Sequence, residues 1–475
     1  MTANTHHRFR DKAHAALMDE PLQRAMDKAG DGFIARRQTA IAALDQYEAL
    51  RSRAKSIKEH TLDHLPEYLE RYEAQVIASG GQVHWARDAE EARKLVIDLC
   101  RRAGAGSVAK GKSMIGEEIG LNHALEAAGM EAVETDLGEY IIQLAEEPPS
   151  HIIAPALHKT REQIIAMFRE HHRSHGYTEP LETVAEIVDE ARAILRDKFL
   201  KADVGITGAN FLIAETGSSV IVTNEGNGDL TALLPPTHIV LASLDKLVPT
   251  PEDATTLLRL LARSATGQES TAYTSFFTGP KPRNDGHESA YHVVLIDNSR
   301  SRILHGKYRD MLRCIRCGAC LNHCPVYTNV GGHAYGGVYP GPMGSVLGPL
   351  LDGLAQAPEL PNASSFCGRC AEVCPMSIPL PELLRQLRND QFEERITPLR
   401  QRCATRLWSW LNTHPRLYRA LAGPAMALLS RMGRNGILPR LPGLGAWQRG
   451  REFPAPEGGS FVREWNRRRG RTRHE

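Results

Sequence analysis

From residue 10 to about 78, apolar positions recur three and four apart among Ala, Leu, Arg, Glu and Gln, as in FIARRQTAIAALDQYEALRSRAKSIKEH. That period predicts a run of helices. Near residue 82 the period changes. The short β-branched runs QVHWA, SVAK, EAVET and HIIAPAL alternate with the helical stretches AEEARKLVIDLCRRAG, MIGEEIGLNHALEAAG and LGEYIIQLAEE. Alternation of this kind predicts βαβ units and a largely parallel sheet. A further helix, TVAEIVDEARAILRDKFL, precedes DVGITGANFLIAETGSSVIVTNEGNGDL, which reads as three strands joined by the turns TGAN, TGSS and NEGNG. Gly and Asn supply positive φ in such turns, so the sheet is expected to be mixed. HIVLAS and YHVVLID supply the last strands, near residue 297. From Arg300 the pattern turns helical and carries cysteines. It is interrupted by VGGHAYGGVYPGPMGSVLG, too rich in Gly and Pro for regular structure. A helix, LPELLRQLRNDQFEERI, ends before Pro398. The predicted class is α/β with an appended helical module.

Length and composition bound this picture. At 475 residues the chain should hold two to four domains. With 42% apolar, 24% charged and 6% aromatic residues, it has the balance of a soluble globular protein. No stretch approaches the roughly 18 uninterrupted apolar residues that a bilayer span needs. The first twenty residues lack an apolar stretch ahead of a cleavage site, so a cytoplasmic location is expected, with any membrane association made through partners. The net charge of +2 hides an asymmetry. From Arg400 onward there are sixteen Arg, no Lys and four Glu, or +12, leaving −10 for residues 1–399. Four of the five tryptophans, Trp408, Trp410, Trp447 and Trp465, lie in that basic tail. Arg and Trp together suit docking to an acidic partner or to anionic lipid. Nucleic-acid binding is not expected, because no recognised motif accompanies the charge.

Seven of the nine cysteines fall between Cys314 and Cys374. In a reducing compartment, clustering of this kind argues for metal and against disulfides. Cys314, Cys317, Cys320 and Cys324-Pro325 form C-x2-C-x2-C-x3-C-P. Cys at every third position can wrap three thiolates round one iron–sulfur cubane, while the fourth Cys projects toward a second. Structural zinc sites usually pair two C-x2-C knuckles and have no use for the third Cys or the Pro. A second run, Cys367, Cys370 and Cys374-Pro375, is the same motif with Ser364 where its first Cys would stand. If the last Cys of each run crosses over, cluster one takes Cys314, Cys317, Cys320 and Cys374. Cluster two then keeps Cys324, Cys367 and Cys370. Its fourth corner is open to the Ser364 hydroxyl, to a solvent or partner ligand, or to nothing, the last giving [3Fe-4S] in place of [4Fe-4S]. The commoner role for Ser364 is a cap at the start of the helix carrying Cys367. His323 and His333 lie nearby and read as surface histidines. Cys100 and Cys403 read as packing thiols.

Gly106-Ser-Val-Ala-Lys-Gly111-Lys112-Ser113 fits the phosphate-loop pattern G-x4-G-K-[ST], and VVLID ends in Asp297, an acid of the kind that holds magnesium. The context contradicts a nucleotide hydrolase, because SVAK inside the motif reads as the strand that should precede it. Lys112-Ser113 is left at a strand end opening a helix, as a structural turn or an anion site. Glu215 and Glu225 sit at tight Gly turns, where carboxylates more often cap backbone amides than catalyse. No residue can be assigned as catalytic. No G-x-G-x-x-G follows a strand, so no flavin or nicotinamide fingerprint is present.

The blocks KSMIGEEIGLNHALEAAGMEAVETDLGEY, GITGANFLIAETGSSVIVTNEGNG, RCIRCGACLNHCPVY, GGHAYGGVYPGPMG and CGRCAEVCP occur in this order between about residue 60 and residue 380. Together they resemble the lactate utilization protein B family, the iron–sulfur proteins of the lactate-utilisation operon. The resemblance implies a LUD domain, related to the NagB/RpiA/CoA-transferase-like fold, over residues 61–300. It implies an α-helical ferredoxin over 301–390, with a helical segment before them (1–60) and the Arg/Trp-rich region after (391–475). It also implies two [4Fe-4S] clusters with the crossed ligand set, the second again having three cysteines. The implied role is electron transfer in the oxidation of L-lactate to pyruvate, with other proteins of the operon as partners and a membrane acceptor beyond them. Whether the chain is itself an enzyme is left open. The rival reading is a LUD-domain enzyme that binds an acyl or phosphorylated substrate, its clusters being structural or sensory.

Overall fold

The computed structural model describes residues 5–177, 180–282, 289–439, 452–457 and 460–471; Trp447 lies outside them. The chain divides into two compact units, one through Gln391 and one from Phe392.

The first unit opens with helices Phe9–Ala16, Glu20–Ala42, Tyr47–Asp63 and Leu65–Ala78, matching the predicted run. Local chemistry sets their ends. Asp19 accepts the Leu22 N–H (3.0 Å) and Pro21 sits in the first turn of the second helix. An N-cap carboxylate satisfies an otherwise orphaned amide, and an early Pro costs no hydrogen bond.

Among the described residues ten strands follow: Gln82–Ala86 (β1), Ser107–Lys110 (β2), Glu131–Glu134 (β3), Val204–Gly208 (β4), Phe211–Ile213 (β5), Ser218–Thr223 (β6), Thr237–Ser243 (β7), Leu247–Val248 (β8), Tyr273–Phe277 (β9) and Ala290–Ile296 (β10). Six make a wholly parallel sheet in the order β1-β10-β7-β4-β2-β3. Alternation sorts their side chains to two faces. Val294 and Ile296 of β10 join Val96, Leu99 and Cys100 of helix Ala89–Arg102 on one face. Val293 and Leu295 join Leu65, Leu69, Tyr72 and Val76 of helix Leu65–Ala78 on the other. A sheet covered on both faces needs continuous apolar strands, and β7 is buried from end to end. The antiparallel pairing expected of the second texture is segregated into a smaller sheet, β8-β5-β6-β9, where β6 runs antiparallel to both β5 and β9.

Two predicted elements differ from the structure. HIIAPAL is irregular because His151 folds it into a turn, its Nδ1 accepting the N–H groups of Ile153 and Ala154 (3.0 Å each). Its isoleucines pack against Gly318 of the cysteine region and are not available to a sheet. The Gly/Pro-rich stretch contains helix Gly341–Asp352, with Pro342 in its first turn, where Pro is pre-organised. Gly344 is required there, since a Cβ would lie 1.7 Å from the Tyr339 carbonyl oxygen. Turn density misled because these glycines serve close packing.

Beyond β10 come short helices Ala319–Asn322, Tyr327–Val330 and Arg369–Glu372, then Leu380–Glu393. They share one apolar core with the N-terminal helices and with Phe211, Ile213 and Val220 of the smaller sheet. N-terminal arginines cap their carbonyls: Arg37 donates to Val373 O (2.8 Å) and Arg51 to Cys374 O (2.8 Å).

The second unit holds helices Leu399–Asn412, Pro415–Met432 and Phe461–Arg471. The first two contain no buried residue, and Trp408, Trp410 and Trp465 are exposed. Cys403 is exposed too, so it is not the packing thiol that its helical context suggested. Among the described residues no helix is long and apolar enough to cross a membrane.

Candidate iron–sulfur centre and adjoining cavity

Residues 314–325 and 364–375 are two copies of one backbone design, fifty positions apart. Arg316 (φ 60°) and Gly318 (φ 74°) flank Cys317, and Phe366 (φ 54°) and Gly368 (φ 84°) flank Cys367. A one-turn helix starts immediately after each Gly, and each copy ends in Cys-Pro. Alternating left-handed residues curl the chain so that successive cysteines face a common centre. In the second copy Ser364 occupies the place of Cys314. Its hydroxyl accepts the Phe366 N–H (3.1 Å), which ties the curl. The cap is on this turn and not on a helix, because helix Arg369–Glu372 begins later, after Gly368.

The seven sulfurs fall into two groups, and the groups cross the two copies. Cys314, Cys317, Cys320 and Cys374 line one small pocket together with Ile152, Met311, Ile378 and Leu380. Cys324 interacts electrostatically with Cys367, and Cys370 with both. The Cys370 sulfur also acts electrostatically on Cys320, so the two groups are neighbours.

Burial, followed by the Cys374 and Cys314 sulfurs, pushes the Cys317 thiol up to about 12. Burial followed by the Cys324 and Cys367 sulfurs does the same at Cys370, again to about 12. Cys320 lies well above the ordinary thiol range, first through burial and then through four neighbouring sulfurs. Thiolates packed this way repel one another unless a cation sits among them. A soft, all-sulfur donor set in an apolar pocket therefore fits an iron–sulfur core.

The histidines nearest the cysteines bond the backbone or a neighbouring side chain. His323 is buried, not superficial, with Nδ1 2.9 Å from Ala319 O. His333 Nε2 donates to Pro148 O (2.8 Å). Burial lowers His151 to about 4, and its Nε2–H donates to Asn322 Oδ1 (2.9 Å), joining the α/β region to the cysteine region.

A second, larger cavity of about 400 Å³ adjoins the first pocket. It opens at the carboxyl ends of β2, β4 and β7, lined there by Gly111, Lys112, Thr207, Gly208, Leu241 and Ser243. Parallel α/β sheets characteristically bind ligands at that edge. Ile152 and Arg316 belong to both linings, so the cavity and the four-thiol pocket share a wall. Behind that wall is a buried ion network. Asp245 lies 3.5 Å from both Arg300 and Arg316. Arg300 makes a two-pronged pair with Glu118 (2.5 and 2.6 Å), which also accepts from Tyr339 and Asn298. The Arg316 guanidinium lies beside the Cys314 sulfur and stacks 5.2 Å from the Tyr339 ring centroid.

Of the residues singled out in the sequence, Lys112, Ser113 and Glu225 line this cavity. SVAK is β2, so the phosphate-loop pattern is broken by a strand. Lys112 Nζ bonds the Ile153 carbonyl, and Ser113 caps a five-residue helix through Gly116 N–H (3.1 Å). Asp297 caps its own turn through Ser301 (2.7 Å), and exposed Glu215 pairs with Arg71 (3.7 Å). Cys100 is buried as expected. Sequence reasoning missed Lys246, Arg316 and Asp245. An Arg inside C-x2-C was a visible hint for the second; no local signal marks the others.

Residues 69–295 match the LUD domain, 310–378 the 4Fe-4S dicluster domain and 393–471 the C-terminal domain of lactate utilisation protein B. The chain is 43% identical over 473 residues to lactate utilization protein B of Lysinibacillus sphaericus, covering 98% of each. Its identity to the protein of that name from Bacillus subtilis is 43% over 462 residues, covering 96% of this chain and 95% of the other. It is 40% identical over 469 residues to YkgF of Escherichia coli, an uncharacterized electron transport protein, covering 98% of this chain and 97% of the other.

Proposed function

The chain belongs to the lactate utilization protein B family, with an iron–sulfur domain and a role in lactate utilisation, and from that premise we propose that it is an electron-transfer subunit of a multi-protein system oxidising L-lactate to pyruvate. One site would be held by Cys314, Cys317, Cys320 and Cys374, the other by Cys324, Cys367 and Cys370. When bound, such clusters supply single-electron transfer at protein-tuned potentials. The observation that carries the reading is the crossed grouping of sulfurs: four share one pocket, three lie together, and the groups adjoin. Apart from the four thiols and Arg316, the residues lining the thiol pocket are apolar or glycine.

The polypeptide's part is to hold and insulate. Met311, Ile152, Met376 and Ile378 exclude water from the four-thiol pocket. The Ile378 N–H donates to the Cys374 sulfur (3.5 Å), and Arg316 sets a fixed positive charge beside Cys314. Contacts of this kind stabilise the more negative state of a sulfur ligand. The exposed Trp- and Arg-bearing helices of the second unit suit docking to acidic partners from the same operon.

Anaerobic purification with iron analysis and EPR tests the reading. About seven or eight irons per chain are expected, with two interacting signals after dithionite reduction. A Cys317→Ala, Cys370→Ala double variant should lose lactate-dependent growth. Iron-free or zinc-loaded protein, or full growth of the double variant, overturns it.

A further inference from the structure

The LUD cavity contains charge that the electron-transfer reading does not use. Five ionisable side chains other than tyrosine line it: Lys112, Lys246 and Arg316 against Asp136 and Glu225. Lys112 is engaged with the Ile153 carbonyl, and Asp136 caps the helix that follows it by accepting the Glu139 N–H (3.1 Å). Glu225 stands at an exposed rim. Lys246 and Arg316 remain at the inner end. The Lys246 ammonium has no hydrogen-bond or ion-pair partner among the described residues. Arg316 is 8% exposed, and its Nη1 has no hydrogen-bond partner. Asp245, a carboxylate near both, already forms ion pairs with Arg300 and Arg316. Enclosed cations left over in this way favour an anion.

The rest of the lining describes that anion. Arg316 is already paired with Asp245, so the unpaired charge at the inner end is the single Lys246 ammonium, which suits a monoanion better than a phosphate dianion. The same walls carry the neutral polar groups of Asn210, Thr223, Asn224 and Asn227, and Asn227 Oδ1 has no partner. These suit a hydroxylated ligand and not a plain hydrocarbon chain.

We propose that this cavity is the binding site for a small hydroxylated carboxylate, with Lys246 and Arg316 receiving its carboxylate. Arg316 faces the occupant on one side and the Cys314 sulfur on the other, so occupancy is sensed at the four-thiol pocket. The proposal rests on the lactate-oxidation reading only for the choice of acid; the site itself follows from the lining. Lys246 is a binding residue here, and Arg316 is both a binding residue and a positioning residue for Cys314.

Titration calorimetry of the anaerobic, iron-loaded chain with L-lactate, propionate and inorganic phosphate tests it. L-lactate should bind, and propionate roughly tenfold more weakly, the worth of one good hydrogen bond. Lys246→Gln should weaken L-lactate at least tenfold with the iron content unchanged. Arg316→Lys, which keeps the charge but loses the planar fork, should weaken binding and abolish the lactate-induced change in the reduced EPR signal. Iron-loaded protein that binds no carboxylate, or binds phosphate in preference, overturns this proposal and leaves the electron-transfer reading standing. Protein that binds lactate through Lys246 yet holds no iron overturns the electron-transfer reading instead.

Discussion

Residues 314–325 and 364–375 share a backbone design, but their surroundings are opposite. The first copy is sunk in the molecule: Ile315, Arg316, Cys317 and Ala319 are all buried, and Arg316 ties the copy to the Asp245 network and to the LUD cavity. The second copy is partly open. Cys367 and Ser365 are exposed, Ser364 and Phe366 are half-buried, and only Cys370 and the Cys374 end go fully inside. One motif thus produces an inner site against a polar cavity and an outer site against solvent. The missing thiol lies in the outer copy, where water is available to complete a coordination sphere. In the proposed wire, this asymmetry assigns the two ends: substrate chemistry to the inner site and partner contact to the outer one. Solvent exposure at the outer site and the Arg316 charge at the inner one are different means of tuning such potentials, so the two sites should differ electrically as well.

Removing one thiol from each copy tests this most severely. Cys317→Ala should cost roughly four irons per chain and most of the soluble yield, because its pocket is the centre of the shared core. Cys367→Ala should cost no more than the outer cluster and leave the fold intact. Equal damage from the two, measured by iron content and thermal midpoint, would abolish the inner–outer distinction. Next in size is Asp245→Asn, which leaves Arg300 and Arg316 sharing no anion at that point. Breaking one partner of a buried ion network typically costs about 3–5 kcal/mol. The thermal midpoint should drop accordingly, with no comparable effect from Glu215→Gln, whose pair with Arg71 is exposed. A wild-type midpoint for the Asp245 variant would show that the inner copy does not depend on its ionic wall.

The strand–helix alternation, the N-terminal helices and both cysteine runs were legible in the sequence because each rests on a local period or spacing. The failures share a cause. HIIAPAL has the residues of a strand, but its surroundings are the cysteine region, and His151 turns it; that contact spans 171 positions of sequence. GGVYPGPMGSVLG has the glycines of a loop, yet Gly344 serves a close approach and Pro342 a helix start. The cysteine groups were legible as spacing, whereas the cavity was not. Lys112, Lys246 and Arg316 come from distant segments, and only the parallel sheet brings its strand ends together around them. The phosphate-loop pattern was correctly set aside, since β2 occupies its middle.

Ser364→Cys restores the symmetry that the natural sequence lacks. The variant should gain about one iron per chain if the outer site holds three, and any near-isotropic oxidised EPR signal should vanish. An unchanged iron count and spectrum would mean that the outer site already holds four irons through another ligand. The substitution also removes the hydroxyl that ties the Phe366 turn, although a sulfur can accept the same N–H more weakly.

The smallest expected effect concerns what shelters the outer copy. Arg388, on helix Leu380–Glu393, lies 4.1 Å from the Phe366 ring centroid and donates to the Pro361 carbonyl (2.9 Å). Its planar group lies over the ring of Phe366, a residue in the left-handed turn. Lys in its place keeps the charge but loses the stacked plane and the fixed donor. Arg388→Lys should therefore cost about 0.5–1 kcal/mol, the range for a partly exposed cation–π contact. It should also speed oxygen-driven iron loss from the outer site, while the inner site, followed by EPR in the same samples, decays at the wild-type rate. If both decay together, the two sites share one solvent barrier, and the contrast between the copies is one of ligand count and not of exposure.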